Sequence, residues 1–356
     1  MSHIPFERRR VANMRRLMRK RGMTSFLVTQ RENVRYLTGF TGSSGVALVT
    51  RGSIALITDF RYQLQAKRET EGTRIAILKK DLLATVKETA ASMGVSRLWF
   101  DESSLPVDRA RRLKETGLRV KGSVDPVQEI RQRKDSREMR SIRTAVRRAE
   151  DSFEILRRFL RPGVSERQLA LRLEFLMRER GAKRAAFDLI VASGPNGAMP
   201  HAGVSNRRLR AGDLVTVDFG AEADGYFCDI TRTVCVGRPS TRQREIHELV
   251  LHAQREAIET IRPGIACKAV DHAARDIIAS AGHGEHFGHA TGHGIGLSVH
   301  EGPSVSALSK DVLQEGMVIT VEPGIYIPGW GGVRIEDMVV VTDKGPRLLT
   351  SLRRDL

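Results

Sequence analysis

The chain has 356 residues, of which 40% are hydrophobic and 28% are charged, and its formal net charge at pH 7 is +17. This length can build two domains with separate cores, whereas no apolar run approaches the roughly 20 residues that a membrane-spanning helix needs. The basic N-terminal stretch lacks the apolar segment of a secretory signal peptide. The three cysteines, Cys228, Cys235 and Cys267, form no Cys-x-x-Cys pair, so we expect reduced thiols and a cytoplasmic location.

The net charge is unevenly distributed along the chain. All of the basic excess lies in residues 1–180, since residues 181–356 hold 19 basic and 21 acidic side chains. Arginines such as Arg137, Arg140 and Arg143 follow a helical spacing and are not interleaved with aromatic residues that could stack on bases. This pattern is typical of a solvated helix surface, so we expect neither a nucleic-acid partner nor a membrane partner.

The first 125 residues predict an α/β domain, because short apolar strands alternate with helical patterns. Residues 6–22 carry apolar side chains at helical spacing. Predicted strands cover 25–29, 45–50, 53–58, 74–78 and 97–101, with helices around 61–67, 82–93 and 107–115. The polar stretch 124–135 is predicted to connect this domain, residues 1–125, to a second domain, residues 135–356.

The second domain is predicted to contain an internal repeat. Helical patterns over 135–160 and 165–180 precede a β-hairpin at 212–237, and a helical pattern over 267–280 precedes a similar hairpin at 315–341. The tripeptide Arg-Pro-Gly stands before a helix in both halves, at 161–163 and at 262–264. Such a repeat predicts two related α+β halves whose chemistry lies at a shared centre.

Each strand of the two predicted hairpins carries one carboxylate in an otherwise apolar run: Asp218, Asp229, Glu322 and Glu336. A buried carboxylate is costly unless it is paired or bound to a cation. Four carboxylates converging on one centre therefore require divalent cations. The alternative, four independent turn or surface acids, does not explain why all four lie within apolar strands.

A glycine-rich segment, residues 288–302, supplies the histidines His289, His293 and His300. Its glycines exclude a helical zinc motif and indicate a backbone that approaches something closely. One imidazole joined to four carboxylates suits a pair of Mn²⁺ or Co²⁺ ions, with Zn²⁺ or Fe²⁺ as alternatives. Five other histidines are expected to lie outside the site: His247, His252, His272, His283 and His286.

Five motifs together resemble the Xaa-Pro peptidases, the prolidase and aminopeptidase P branch of the pita-bread metallopeptidases of family M24. They are VDFG with Asp218, CDITRT with Asp229, TGHGIGLSVHE with His293, VEPGIY with Glu322 and VRIED with Glu336. The stretches RENVRYLTGFTGSSG and TDFRY resemble the creatinase-like N-terminal domain of that family. The resemblance implies an N-terminal creatinase-like domain, residues 1–125, followed by a pita-bread catalytic domain, residues 135–356, and a homodimer.

The resemblance also implies a site with two divalent metal ions. Asp229 and Glu336 would bridge the ions, His293 and Glu322 would complete one site, and Asp218 would chelate the other ion. A metal-bridging hydroxide would then hydrolyse the peptide bond between an N-terminal residue and proline. Glu322 would be both a ligand and a proton shuttle.

Four further positions match the family around this centre. His201 and His300 would contact the substrate carbonyl and relay protons. His289 and Arg334 would lie near the metals, where Arg334 would brace the carboxylates through an ion pair or have a purely structural role.

The preference for proline and the length of the substrate are less constrained. Ser304 stands where prolidases that cleave dipeptides often have an arginine for the substrate carboxylate, which favours short oligopeptides as well as dipeptides. Ala290 and Ser298 also depart from the family pattern, with little expected effect. Two other functions share this fold: a metal-free creatinase-like amidinohydrolase, and a non-catalytic binding protein that uses the basic N-terminal half. The complete ligand set argues against both.

Overall fold

The computed structural model describes residues 6–79 and 81–356. The chain forms two units, one extending to Arg131 and the other spanning Gln132–Leu356. No helix in the described ranges is long and apolar enough to cross a membrane.

The N-terminal unit is built around a mixed six-stranded sheet of order β4-β3-β2-β1-β5-β6. Its elements are α1 (Phe6–Lys20), β1 (Ser25–Val28), α2 (Arg31–Thr38), β2 (Val46–Thr50), β3 (Ile54–Thr58), α3 (Gln63–Glu69), β4 (Arg74–Ile77), α4 (Leu82–Ser92), β5 (Arg97–Asp101), α5 (Val107–Glu115), β6 (Arg119–Ser123) and α6 (Pro126–Arg131). Leu27, Leu48 and Leu98 lie in the core between the sheet and its helices. The predicted α/β character of this half is confirmed.

Three elements of this unit escaped the sequence prediction: α2, β6 and α6. Helix α6 lies within residues 124–135, the stretch predicted to connect the domains, so part of that stretch is helical. The Asp125 side chain accepts a hydrogen bond from the amide of Val127 at 2.8 Å, and Pro126 stands at the start of the helix. Asp followed by Pro is a helix-start signal, but the helix is too short to show apolar periodicity.

The C-terminal unit places its helices and strands in two similar sets. The first contains α7 (Ser136–Leu156), α8 (Glu166–Glu179), β7 (Ile190–Ser193), β8 (Leu214–Phe219), β9 (Glu222–Ala223), β10 (Tyr226–Phe227) and β11 (Ile230–Cys235). The second contains α9 (Thr241–Thr260), α10 (Cys267–Ser280), β12 (Gly292–Gly294), β13 (Glu301–Val305), β14 (Val318–Val321), β15 (Gly324–Ile327), β16 (Gly331–Arg334), β17 (Asp337–Thr342) and β18 (Gly345–Leu348).

The internal repeat is confirmed by the strand pairing. Strand β8 pairs antiparallel with β11 around the small β9–β10 hairpin, and β14 pairs antiparallel with β17 around the small β15–β16 hairpin. Even the Arg-Pro-Gly turns match, since Gly163 has φ 88° and Gly264 has φ 89°. Both glycines occupy the left-handed region that residues with a side chain rarely adopt.

The four acids do not all lie inside strands, as the sequence predicted. Asp218 lies within β8, but Glu322 directly follows β14, and Asp229 and Glu336 directly precede β11 and β17. The hydrogen-bonded strand pairing is interrupted at these three residues. Because apolar residues lie on both sides of each interruption, the sequence pattern predicts one continuous strand there.

Helices α9 and α10 hold the second set of strands in place. Val250 and Ala257 from α9 and Val270 from α10 pack in one core with Ile319 of β14 and Val339 of β17, and all five are essentially buried. This packing fixes β14 and β17, whose ends adjoin Glu322 and Glu336.

Candidate metal centre

The predicted site residues meet at one cleft of the C-terminal unit, with a volume of about 1100 Å³. Its walls include His201, Asp218, Asp229, His289, His293, His300, Glu322 and Arg334. Glu336 is 2% exposed and lies against these residues. In the described part of the chain, none of the five histidines set aside by the sequence lines this cleft; His283 and His286 contact each other, with their Nδ1 atoms 3.4 Å apart.

Three of the predicted ligands form a tight cluster. One ligand atom from each of Asp229, His293 and Glu336 lies within 4.8 Å of the other two. Glu322 adjoins the cluster, because the Nε2 atom of His293 is 3.5 Å from Glu322 Oε1 and 3.5 Å from Asp229 Oδ2. Ligand atoms about 2.0–2.2 Å from one ion have separations of this order.

The backbone selects the form of His293 that can bind a metal. Its Nδ1 lies 3.0 Å from the carbonyl oxygen of Gly294, so the ring proton belongs on Nδ1 and the Nε2 lone pair faces the acids. The close backbone approach that the glycines predicted is present. A Cβ on Gly292 would lie 2.0 Å from the carbonyl oxygen of Thr320, and one on Gly294 would lie 2.1 Å from that of Gly302.

Hydrogen bonds orient the carboxylates of Asp218 and Glu336, whereas one oxygen of Asp218 and one of Asp229 have no partner among the described residues. Thr231 Oγ1 donates to Glu336 Oε2 at 2.8 Å, and Arg334 Nη2 donates to Asp218 Oδ2 at 2.7 Å. The Oδ1 atoms of Asp218 and Asp229 are buried and accept no hydrogen bond from any described residue. A buried oxygen left unsatisfied costs about 1–3 kcal/mol, and a cation would remove that cost.

Ionisation of all the clustered acids at once is unfavourable in the metal-free protein. Burial raises the pKa of Asp229 and Glu336 well above the ordinary range, and repulsion from the neighbouring carboxylates adds to this effect. Burial also raises the pKa of Glu322 to about 6. The donor set, the orphaned oxygens and this repulsion all fit divalent cations.

A chain of hydrogen bonds runs outward from Asp218. Arg334, which is 3% exposed, also donates through Nη1 to the Tyr326 hydroxyl at 2.9 Å and through Nε to Thr231 Oγ1 at 3.1 Å. The Tyr326 hydroxyl lies 2.9 Å from His289 Nε2. Arg334 thus contacts the predicted ligand Asp218 directly. His289 contacts Tyr326 and is linked to Asp218 only through the hydrogen bonds of Tyr326 and Arg334.

The surroundings of His289 keep its ring neutral. Its Nδ1 lies 2.7 Å from the carbonyl oxygen of Ala290, which places the proton on Nδ1, so Nε2 accepts from Tyr326. Burial lowers the pKa of His289 to about 4. The sequence reasoning assigned no role to Tyr326 or Thr231, although both lie inside motifs that it singled out, VEPGIY and CDITRT.

His201 and His300 are exposed residues of the cleft wall. The His300 ring lies 4.3 Å from the His293 ring, centroid to centroid. Burial of part of the ring, and then the neighbouring His293, lower the pKa of His300. An imidazole carries at least one ring N–H, so both histidines can donate a hydrogen bond to a molecule bound in the cleft.

The whole chain matches known sequences. Residues 140–343 match the sequence model of metallopeptidase family M24, and residues 10–133 match that of the creatinase/prolidase N-terminal domain. This chain belongs to metallopeptidase family M24. The family and the enzyme class that the motifs predicted are thereby confirmed.

Relatives of this M24 protein match it over at least 95% of its length. The Xaa-Pro dipeptidase of Pyrococcus horikoshii is 40% identical over 343 residues, 95% of this chain and 96% of that protein. Among solved structures, the Xaa-Pro dipeptidase from Bacillus anthracis is 39% identical with a TM-score of 0.95, covering 98% of this chain and 99% of that one. The X-Pro aminopeptidase from Thermotoga maritima is 38% identical with a TM-score of 0.89, covering 96% and 100%. Similar relatives thus carry both names, dipeptidase and aminopeptidase.

Proposed function

We propose that this protein is a dinuclear metallopeptidase that hydrolyses the peptide bond between an N-terminal residue and proline. The observation that carries the proposal is the convergence of Asp229, His293, Glu322 and Glu336 beside Asp218, with buried carboxylate oxygens that have no partner in the described structure. The names of its full-length relatives support the choice of Xaa-Pro peptides as substrates.

We assign Asp229 and Glu336 as ligands shared by two metal ions, His293 and Glu322 as ligands of one ion, and Asp218 as a ligand of the other. The set is rich in carboxylate oxygens and has one imidazole, which favours Mn²⁺ or Co²⁺ over Zn²⁺ or Fe²⁺. When bound, the ions would lower the pKa of water and polarise the scissile carbonyl.

Protein side chains would move the protons. Glu322, whose Oε1 lies 3.5 Å from His293 Nε2, would take a proton from the attacking water and pass it to the leaving proline nitrogen. His201 and His300 can donate N–H hydrogen bonds to the carbonyl oxygen as negative charge develops there. Arg334 would hold Asp218 by pairing with its Oδ2 atom, which leaves the Oδ1 atom free to bind a metal ion.

We propose that the enzyme accepts short oligopeptides as well as dipeptides. Ser304 is exposed in the cleft wall, and its hydroxyl bonds only weakly to Ser306 Oγ at 3.2 Å. A serine cannot pair with the free carboxylate of a dipeptide as an arginine would. The cleft volume of about 1100 Å³ lies just above the range of roughly 300–1,000 Å³ that is usual for drug-sized ligands, so it exceeds the needs of a dipeptide.

The test is hydrolysis by metal-stripped protein supplied with Mn²⁺, Co²⁺ or Zn²⁺. The substrates are Ala-Pro, Ala-Pro-Ala and Ala-Ala-Ala, and their hydrolysis is measured by the release of free amine. We expect cleavage of both proline peptides and little cleavage of Ala-Ala-Ala. If no metal supports cleavage of either proline peptide, the proposed peptidase activity is refuted. If only Ala-Pro is cleaved, the proposed range of substrate lengths is refuted.

A pair of variants tests the ligand assignment in the same assay. Asp229→Asn should abolish activity, because an amide has a single neutral carbonyl oxygen and cannot bind two cations through two oxygens as a carboxylate does. Asp343→Asn is the matched control, since Asp343 is an exposed acid in the turn between β17 and β18. Near-normal turnover by Asp229→Asn would show that Asp229 is not a shared ligand.

A further inference from the structure

Glu166 is a buried acid that belongs neither to the metal centre nor to the walls of the cleft. It is the first residue of α8, directly after the N-cap residue Ser165, and is 0% exposed. Both of its carboxylate oxygens accept several hydrogen bonds. The donors are Ser193 N and Oγ, both at 2.7 Å, Asn196 Nδ2 at 3.0 and 3.2 Å, Ser205 N at 3.2 Å and Ser205 Oγ at 2.5 Å.

These donors lie at the two ends of one stretch of chain, residues 193–205, which we call the His201 loop. Ser193 ends β7 and Ser205 lies twelve residues later, so the carboxylate of Glu166 ties the beginning of the loop to its end. Asn196 strengthens this closure, because its Nδ2 also donates to Ser205 Oγ at 3.2 Å. The loop between these anchors presents His201 to the cleft.

All the hydrogen bonds that Glu166 accepts from described residues come from neutral donors. The nearby Arg207 donates to Ser193 Oγ at 2.6 Å and pairs with Asp213 at 2.6 Å, so it acts on Glu166 through its charge and forms no direct ion pair with it. The positive end of α8 also favours an acid at this position. Removing the hydrogen-bond acceptors of Glu166 would leave several buried donors of the loop without partners.

The loop is connected to the candidate metal centre at a second point. The carbonyl oxygen of Pro200, next to His201, accepts a hydrogen bond from Arg334 Nη1 at 3.3 Å. Arg334 is the residue that pairs with Asp218. The loop is therefore held at its ends by Glu166 and at its tip by the arginine of the centre.

We propose that Glu166 is a positioning residue for His201. It closes the His201 loop so that the imidazole stays at the wall of the cleft, where it can donate to the carbonyl oxygen of a substrate. This inference rests on the proposed peptidase function for its catalytic consequence, but the anchoring of the loop can be measured without any substrate.

The kinetic test replaces Glu166 by glutamine. The amide keeps the size of the side chain but presents an NH₂ group to donors, so the loop loses acceptors and its ends separate. We expect kcat for Ala-Pro-Ala to fall roughly 10- to 100-fold, as small misplacements of a catalytic group do. Glu179→Gln, at the exposed last turn of the same helix, is the matched control and should keep normal kcat.

A double-mutant cycle separates positioning from a general structural effect. If Glu166 acts through His201, Glu166→Gln should change kcat little in a protein that already carries His201→Asn. Full additivity of the two losses would overturn the proposal. Ser205→Ala, which removes one donor and leaves the acid in place, provides a milder variant should Glu166→Gln not fold, and it should show the same non-additivity.

Hydrogen exchange measured by mass spectrometry tests the anchoring itself. Amides of residues 193–205 should exchange faster in Glu166→Gln than in the parent protein and in Glu179→Gln. Unchanged exchange would overturn the anchoring even if the protein is an active peptidase. If the parent protein cleaves no proline peptide, the proposed function fails, whereas faster exchange in the variant still supports the anchoring.

Discussion

Replacing Glu322 by glutamine should stabilise the metal-free protein at pH 8, although it removes a proposed ligand. Burial raises the pKa of Glu322 from 4.5 to about 6, so the folded state binds this proton more tightly than the unfolded chain does. The contribution of Glu322 to stability is therefore full below pH 4.5 and is lost as the pH rises through about 6. The difference between the two pKa values corresponds to about 2 kcal/mol.

A neutral glutamine does not pay this cost of ionisation. In chemical denaturation of metal-free protein, Glu322→Gln should exceed the parent in free energy of unfolding by about 2 kcal/mol at pH 8 and by much less at pH 4.5. With saturating Mn²⁺ the order should reverse, because the parent then gains binding free energy that the variant lacks.

The control is Glu315→Gln, an exposed acid near the same strand, which should change stability by less than about 0.5 kcal/mol at either pH. If metal-free Glu322→Gln protein is no more stable than the parent at pH 8, then ionised Glu322 does not destabilise the metal-free protein, and the clustered carboxylates do not require a cation.

Three further substitutions test the surroundings of the centre. Arg334→Met leaves the Asp218 carboxylate without its ion pair, so unfolding free energy should fall by about 3–5 kcal/mol in denaturation of metal-free protein; a loss below 1 kcal/mol would contradict this. Tyr326→Phe removes the hydroxyl between Arg334 and His289 and should weaken Mn²⁺ binding about 10-fold in calorimetry; unchanged affinity would deny the hydroxyl that role. Gly294→Ala places a Cβ 2.1 Å from a backbone oxygen and should prevent Mn²⁺ binding, whereas Gly52→Ala, where an added Cβ meets nothing within 4 Å, should not.

Much of the architecture around the centre could be predicted because the paired strands, the repeat and the glycine-rich segment each have a local signal in the sequence. Alternating apolar residues predicted the paired strands, the two Arg-Pro-Gly turns predicted the repeat, and the glycines around His293 predicted close backbone contacts that the structure contains. The motifs around the acids were specific enough to identify the family.

The features that escaped the sequence depend on contacts between distant segments. Thr231 donates to Glu336, 105 residues away, and Glu166 binds donors 27 to 39 residues downstream. A single threonine or glutamate in a helix or strand carries no local mark of such a role. The breaks before Asp229 and Glu336 were likewise hidden, since apolar residues continue on both sides.

The most direct test of the account is a titration of metal-stripped protein with Mn²⁺, in which hydrolysis of Ala-Pro-Ala and bound metal are measured on the same samples. For a dinuclear Xaa-Pro peptidase, activity should be absent without metal, rise with binding, and reach its plateau at two ions per chain. Full activity with a single bound ion, or no activity when the protein is saturated, would contradict a dinuclear Xaa-Pro peptidase.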